Sequence, residues 1–408
     1  MQVDEGYVFN PFQPGFSDDP YPHYAELRAK DPVHEHPLGF WILSRHADVN
    51  DLLRSRHSVE ERNVAPSPLS ELQAQAAGPR DHDPRASSML DRDPPDHTRL
   101  RKLVTKAFTK RAIDALEPLV VELVDAALDR MERAIADTGR ADVVEELAYP
   151  LPFTVICEML GMPDTDHARL RELAGTVVRS LEPVTDPELI QAIMAADREL
   201  AERIAGVIAD KRRAPGDDLL TALIQAEDEG DMLTDEELVA QVLLLYVAGH
   251  ETTVNLIANG TIALLRNPDQ FALLTARPDL DANAVEELLR YDSPVQQSRR
   301  ITLSPYPVGG REIPTGSFVL AGLASANRDE DFWGPDAAEL HLDRPNARAH
   351  LSFGGGPHHC LGASLARLEG RVALGRLVRR FPKLAFADTV TWNGRLNLRG
   401  PESVPITA

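Results

Sequence analysis

Phe353-Gly354-Gly355-Gly356-Pro357-His358-His359-Cys360-Leu361-Gly362-Ala363 sets one cysteine at the end of a glycine-rich loop. A helix is predicted directly after it, from Leu361 through Arg380, because Leu361, Leu365, Leu368, Val372 and Leu377 recur at roughly helical spacing. A cysteine at a helix N-terminus lies in the positive end of the helix dipole, which stabilises a thiolate. Glycines let backbone N–H groups approach the sulfur and let a flat ligand lie on the loop without a Cβ in the way. A soft thiolate held like this is a metal ligand or a nucleophile.

Three fates are open to Cys360 at this point. It can be a buried core cysteine. It can join His358 and His359 in a zinc site, although structural zinc sites show paired ligands at fixed spacings. The only other cysteine, Cys157, falls in the apolar run from Pro152 to Met162 and reads as core helix. The third fate is the axial thiolate of a haem iron.

Composition bounds the alternatives. The 408 residues can bury a large core, and their length alone would suggest two or three domains. A net charge of −21 argues against nucleic-acid binding and against an anionic membrane surface. Two cysteines offer no disulfide framework, so a reducing cytoplasm fits. The stretch from Met1 to Val33 has no basic segment followed by an apolar one, so neither a signal peptide nor a membrane anchor is expected. The longest apolar stretch, Leu238 to Leu265, is interrupted by Gln241, His250, Glu251 and Asn255 and reads as a buried helix.

Helical periodicity dominates between about Pro94 and Arg290. Short strands are predicted at Phe40–Leu43, Arg300–Leu303 and Ser317–Leu320, with Gly309-Gly310 as a turn between the last two. The expectation is a mainly α protein with a small β-rich region. Asn63 to Asp91 and Glu182 to Pro187 lack periodicity, and unpatterned segments inside a compact domain are often functional lids.

Further constellations stand apart from the cysteine loop. Asp93 is the expected N-cap of a helix with Pro94 in its first turn, and this helix carries His97 and Arg101 four residues apart, hence on one face. A cationic pair of this kind suits a ligand with carboxylates. A long helix from Thr234 to Arg266 opens with the capping box Thr234-Asp235-Glu236-Glu237. In its middle, Ala248-Gly249-His250-Glu251-Thr252-Thr253 joins a small pair to a buried acid and a hydroxyl, which needs partners or a task. Glu287 and Arg290 form an i, i+3 ion pair, ordinary if exposed.

Phe353-Gly354-x-Gly356-x-His358-x-Cys360-x-Gly362 resembles the haem-binding signature of the cytochrome P450 family. Ala248-Gly249-x-Glu251-Thr252 resembles that family's oxygen-activation motif, with glutamate for the commoner aspartate. The H-x-x-x-R and E-x-x-R pairs fall in the family's order, so the resemblance covers essentially the whole chain. It implies one cytochrome P450 domain over residues 1–408, a triangular prism of helices with haem b between the long central helix and the cysteine-loop helix. It implies Cys360 as axial iron ligand. His97, Arg101, Phe108, Ala248, Gly249, Thr252, Phe353, Gly354, His358, Gly362 and Ala366 are then haem contacts. A further propionate arginine is implied near the strand after Pro294. Counting back from Gly309-Gly310 gives Arg300, the preferred reading; counting forward gives Arg299. Glu251 and Thr252 become the proton-delivering catalytic pair, and Arg344 the third member of a structural set with Glu287 and Arg290.

The implied activity is that of a soluble bacterial monooxygenase placing one atom of dioxygen in a hydrophobic small molecule. Polyketides, terpenoids, steroids and fatty acids fit. Expected substrate contacts are Leu244, Leu245, Ala248, Val295, Gln296, Leu396 and Asn397. No flavin or nicotinamide fingerprint is visible, so electrons are expected from NAD(P)H through a ferredoxin reductase and ferredoxin. Arg101, Lys102, Lys106, Lys110, Arg111 and Arg367 would form a locally basic docking face. The competing readings are a peroxide-dependent peroxygenase and a non-catalytic haem sensor.

Overall fold

A computed structural model describes residues 6–68, 70–71, 87–162 and 167–408. Most of the unpatterned stretch after Asn63 lies outside the described residues.

The long helix forms as the sequence predicts. It spans Asp235–Arg266 with Thr234 as N-cap. The Thr234 hydroxyl accepts the Glu237 N–H at 3.2 Å, and the Glu237 carboxylate accepts the Thr234 N–H at 2.9 Å. Helices Pro150–Leu160, Pro187–Arg213, Asp281–Tyr291 and Ala363–Arg380 pack around it. Cys157 is buried in the first of these, as expected of a core residue.

Two glycines set how closely the central helix meets the helix after the cysteine. A Cβ on Gly260 would fall 3.0 Å from Leu374 Cδ1, and one on Gly370 would fall 2.9 Å from Leu256 Cδ2. Each helix thus presses a leucine onto the other's glycine, and a side chain at either position would push the pair apart.

The β-rich part is a four-stranded sheet in the order Val33–Glu35, Phe40–Leu43, Phe318–Ala321, Ser298–Ile301. Phe40 to Leu43 run parallel to Phe318 to Ala321, and Ser298 to Ile301 close the far side antiparallel. Phe40–Leu43 falls where predicted, and Phe318–Ala321 and Ser298–Ile301 lie one and two residues from their predicted positions. Gly309-Gly310 does turn the chain, at φ +58° and +80°. It closes a separate hairpin, Tyr306–Val308 with Arg311–Ile313, that the sequence reading did not contain.

Two helix starts differ from expectation. The helix carrying His97 runs Asp96–Ala107, and Asp93 does not cap it. Pro94 and Pro95 have no N–H to offer a cap, and a residue before proline is driven to extended backbone. The Asp93 carboxylate turns instead to the Val59 N–H at 2.9 Å and to the Ser58 hydroxyl. The cysteine helix begins at Ala363, with Leu361 and Gly362 in the turn before it.

Beneath that helix lies a fully buried guanidinium. Arg290 donates to Glu287 Oε2 at 2.7 Å and Oε1 at 2.8 Å. Its remaining bonds go to the carbonyls of Asn327 (2.9 Å), Ala337 (2.6 Å) and Glu339 (2.7 Å). Arg344 Nε reaches Glu287 Oε1 at 3.1 Å. The i, i+3 pair is therefore internal, as the family resemblance implied. Arg290→Lys replaces five fixed donors by three and leaves carbonyls orphaned, so it is expected to destabilise the fold by ~3–5 kcal/mol, read as a fall in the urea midpoint.

Glu369, on the cysteine helix, is buried with Oε2 lacking a partner, and burial raises its pKa from 4.5 to about 8. The folded state therefore holds a proton that the unfolded chain releases. This stability is complete below pH 4.5 and is lost as pH rises through 8. Glu369→Gln is expected to flatten the fall of denaturation midpoint between those two pH values.

Candidate haem site

The cysteine loop is shaped by its glycines. Gly354 and Gly356 have φ of +68° and +65°, and a Cβ on Gly356 would meet the Leu53 carbonyl. The loop closes on itself through Gly354 N–H to Leu351 O at 2.8 Å and Cys360 N–H to Phe353 O at 2.9 Å. Phe353 packs against Leu256, Val285 and Leu289. The Arg367 guanidinium lies 4.5 Å from its ring centroid while pairing with Glu286 at 2.8 Å.

Cys360 is an exposed free thiol, yet it is deep enough for burial to raise its pKa. Both hold for a sulfur that borders open space on one side and protein elsewhere. The N–H groups of Gly362 and Ala363 and the cations Arg101 and Arg367 pull the other way. Burial outweighs them, while the helix N-terminus acts in the direction the sequence predicts. A metal cation bound at the sulfur would favour the thiolate further.

Beside the loop gather basic groups that no carboxylate pairs with among the described residues. The His97 and His358 rings lie 4.1 Å apart between centroids, and His97 Nε2 is buried without a partner. Arg101 donates to the His359 carbonyl at 2.6 Å. Arg300 is 3% exposed and donates only to Ser298 Oγ and to the carbonyls of Arg299 and Leu53. Among the described residues, neither Arg101 nor Arg300 pairs with a carboxylate. Burial, against Asp93 and with Arg299, brings Arg300 down to about 10. Burial, then His97, Arg300 and Arg101, brings His358 to about 3. Two carboxylates placed here would relieve all four groups at once. Arg299, the alternative, is already tied to Glu61 at 2.9 Å and Asp91 at 2.5 Å.

The central helix contributes the opposite wall. Between Gln241 and Thr253 every residue is buried except Leu244, Ala248, Gly249 and Thr252. Spacing of four puts Leu244, Ala248 and Thr252 on one stripe, with Gly249 beside it. A Cβ on Gly249 would touch nothing nearer than Ile156, at 3.6 Å. The Thr252 hydroxyl donates to the Ala248 carbonyl at 3.3 Å, a long bond that a better acceptor can replace. Glu251 points elsewhere, to Arg395 Nη1 at 2.5 Å. His250 is buried among Tyr149 and Phe153 with both ring nitrogens unbonded, and burial holds it near pKa 4, hence neutral.

Each of the other expected contacts has its own surroundings. Leu245 is turned into the main core. Gln296 is buried, receiving the Tyr24 hydroxyl at 3.0 Å and donating to the Ser293 carbonyl at 2.6 Å, so its amide is spent on the fold. Leu396 packs on the aromatic cluster of Phe9 and Phe16, and the Asn397 amide donates to the Leu181 carbonyl at 3.2 Å. Phe108 is in the core at the end of its helix, Ala366 is half-buried one turn into the cysteine helix, and Val295 bridges to Leu398. Lys102 and Lys106 both bind Asp228, at 2.5 and 2.6 Å, and Lys110 binds Asp114, so the expected basic face is partly neutralised. A cleft of about 690 Å³ remains there, lined by His97, Arg101, Lys102, Lys106 and Pro357 among others. The sequence gives Arg395 no role and Glu182 only a place at the start of an unpatterned segment; nothing local marks either as a partner of distant groups.

An accessible thiol, four basic groups without a counter-anion and an open stripe on a buried helix fit a flat, dianionic metal macrocycle. They define the class of haem-thiolate oxygenases. The chain belongs to the cytochrome P450 family, whose model, described as "Cytochrome P450", matches residues 73–276 and 271–389. Vitamin D(3) 25-hydroxylase of Pseudonocardia autotrophica is 42% identical over 405 residues, covering 97% of this chain and 95% of its own. Cytochrome P450 monooxygenase PikC of Streptomyces venezuelae is 42% identical over 401 residues, covering 96% and 91%. The solved structure of PksS, from the Bacillus subtilis bacillaene polyketide synthase, superposes with a TM-score of 0.88 at 36% identity, covering 98% of this chain and 99% of that one. The protein is a monooxygenase of this family, and the family implies haem. No helix among the described residues is long and apolar enough to cross a membrane.

Arg300→Leu is expected to speed haem loss to a scavenging apoglobin by about 10-fold, the weight of one charge-assisted hydrogen bond, with Arg299→Leu close to wild type.

Proposed function

We propose that residues 1–408 act as one catalytic unit that oxygenates an apolar small molecule. In this reading Cys360 ligates the haem iron, and His97, Arg101, Arg300 and His358 receive the two propionates. Ala248, Gly249, Phe353, Gly354, Gly362 and Ala366 border the macrocycle, with Phe108 backing its edge from the core. The observation that carries the reading is a set of basic groups, His97 and Arg300 buried and Arg101 and His358 half-buried, that no carboxylate pairs with among the described residues, beside an accessible cysteine thiol.

Haem bound in this way supplies the activation of dioxygen and transfer of one oxygen atom to substrate. The chain's own residues supply position and protons. Thr252 would give up its weak bond to the Ala248 carbonyl and turn its hydroxyl, as a proton-holding group, toward the open side of the helix. Glu251 brings protons inward from the side of Arg395. Neutral His250 takes no proton at ordinary pH and shapes the wall behind Glu251.

Leu244, Ala248 and Val295 offer an apolar surface to substrate. The names of the relatives, a vitamin D(3) hydroxylase and a polyketide biosynthesis enzyme among them, favour a polycyclic or macrocyclic hydrophobic substrate. Electrons come from NAD(P)H through a ferredoxin reductase and a ferredoxin in the cytoplasm. The ferredoxin approaches the cleft of Arg101, Lys102 and Lys106.

Thr252→Ala is expected to lower product formed per NAD(P)H consumed by about 10-fold while NAD(P)H oxidation continues. Unchanged coupling would remove Thr252 from the proton path.

A further inference from the structure

Glu182 opens the short connector between the helical segment ending at Leu181 and the helix Pro187–Arg213. Its carboxylate accepts three consecutive backbone N–H groups from a distant turn. Oε2 receives Leu396 and Asn397, both at 2.9 Å, and Oε1 receives Leu398 at 2.8 Å. Successive N–H groups converging on one point form an anion-binding nest, and a carboxylate there makes charge-assisted bonds. The Asn397 amide adds a bond to the Leu181 carbonyl.

The turn itself is stiff. Asn393 accepts the Arg395 N–H at 3.0 Å and donates to the Leu398 carbonyl at 2.9 Å, so the loop is tied across its own mouth. Behind it, Gln296 N–H meets the Asn397 carbonyl at 2.8 Å, and Arg399 N–H meets the Pro294 carbonyl at 3.0 Å. At its near end Arg395 holds Glu251. One braced turn therefore carries the seat for Glu182 and the arm that grips Glu251.

We propose that residues 395–398 couple the connector after Leu181 to the catalytic acid. With Glu182 seated, the turn is fixed and Arg395 holds Glu251 in place. When Glu182 leaves, three N–H groups lose their acceptor, the turn shifts, and the grip on Glu251 loosens. Glu182 is half-buried and water can replace the carboxylate, so the seat has two accessible states. Glu182 and Arg395 are positioning residues. The significance for turnover rests on the reading of Glu251 given above; the link between the two ends of the turn does not.

Glu182→Gln keeps the shape but offers an NH2 donor where N–H groups need acceptors. Hydrogen exchange of the Leu396–Leu398 amides in the haem-loaded protein is expected to quicken by about 5-fold or more, with Glu182→Asp in between. In arginine-labelled protein, the slowly exchanging guanidinium signal of Arg395, assigned by its loss in Arg395→Gln, is expected to collapse in Glu182→Gln as well. Product per NAD(P)H should fall in Glu182→Gln and in Arg395→Gln, and the double variant should be no worse than Arg395→Gln alone. Unchanged amide exchange overturns the seat. Faster exchange with an intact Arg395 signal, or additive losses of coupling in the double variant, makes Glu182 a clasp for the turn only and overturns the link. The exchange and labelling measurements need no turnover, so a protein that oxygenates nothing would sink the proposed function and leave this test standing.

Discussion

The five N–H groups of Arg290 are the constraint on which the haem side of the molecule rests. A buried cation is tolerated only when every donor is satisfied and its charge is matched. Here Glu287 matches the charge, and three carbonyls between Asn327 and Glu339 take the remaining donors. Those carbonyls belong to the segment that leads into the cysteine loop. Asn327 then passes the order on. Its Oδ1 accepts the Leu351 N–H at 2.7 Å, and its amide meets Ser293 and Ser352, each at 2.8 Å. The loop that ends at Cys360 thus starts from a point fixed by a guanidinium that never touches it.

From there two opposed demands shape the site. The helices must come close, which Gly260 and Gly370 permit, and yet leave room for a ligand, which the small residues Ala248 and Gly249 provide. Electrostatics is left unbalanced on purpose. His97, Arg101, Arg300 and His358 crowd together with their charged forms disfavoured, so a dianionic ligand gains from every one of them. The contrast between adjacent arginines follows from the same rule. Arg299 is half-exposed and satisfied by two carboxylates, whereas Arg300 is inside and has none.

Much of this was legible without coordinates. The capping box at Thr234, the cysteine loop, and the helical spacing of His97 with Arg101 are local patterns, and local patterns survive folding. Asp93 was misread because two prolines remove the N–H groups that a cap serves. The hairpin at Tyr306–Ile313 was missed because it is only three residues per strand. The surroundings of Gln296 and Leu245 were not legible, because which face of an element is buried is set by neighbours far along the chain. Arg395 carried no signal, and Glu182 only that of the unpatterned segment it opens, since each finds its partner across more than a hundred residues.

The sequence by itself determined a mainly α fold, a cysteine at the end of a glycine-rich loop that resembles a haem signature, and the presence of an acid beside a hydroxyl in a buried helix. Those features depend on residue type and on spacings of a few positions, which backbone geometry converts directly into shared faces. Only the tertiary structure decided which arginine is left without a counter-ion, that burial outweighs the helix dipole at Cys360, and that Glu251 is gripped from a turn anchored to the connector after Leu181. Those outcomes depend on burial and on which distant groups arrive within about 3 Å, the reach of a hydrogen bond, and no local pattern encodes either.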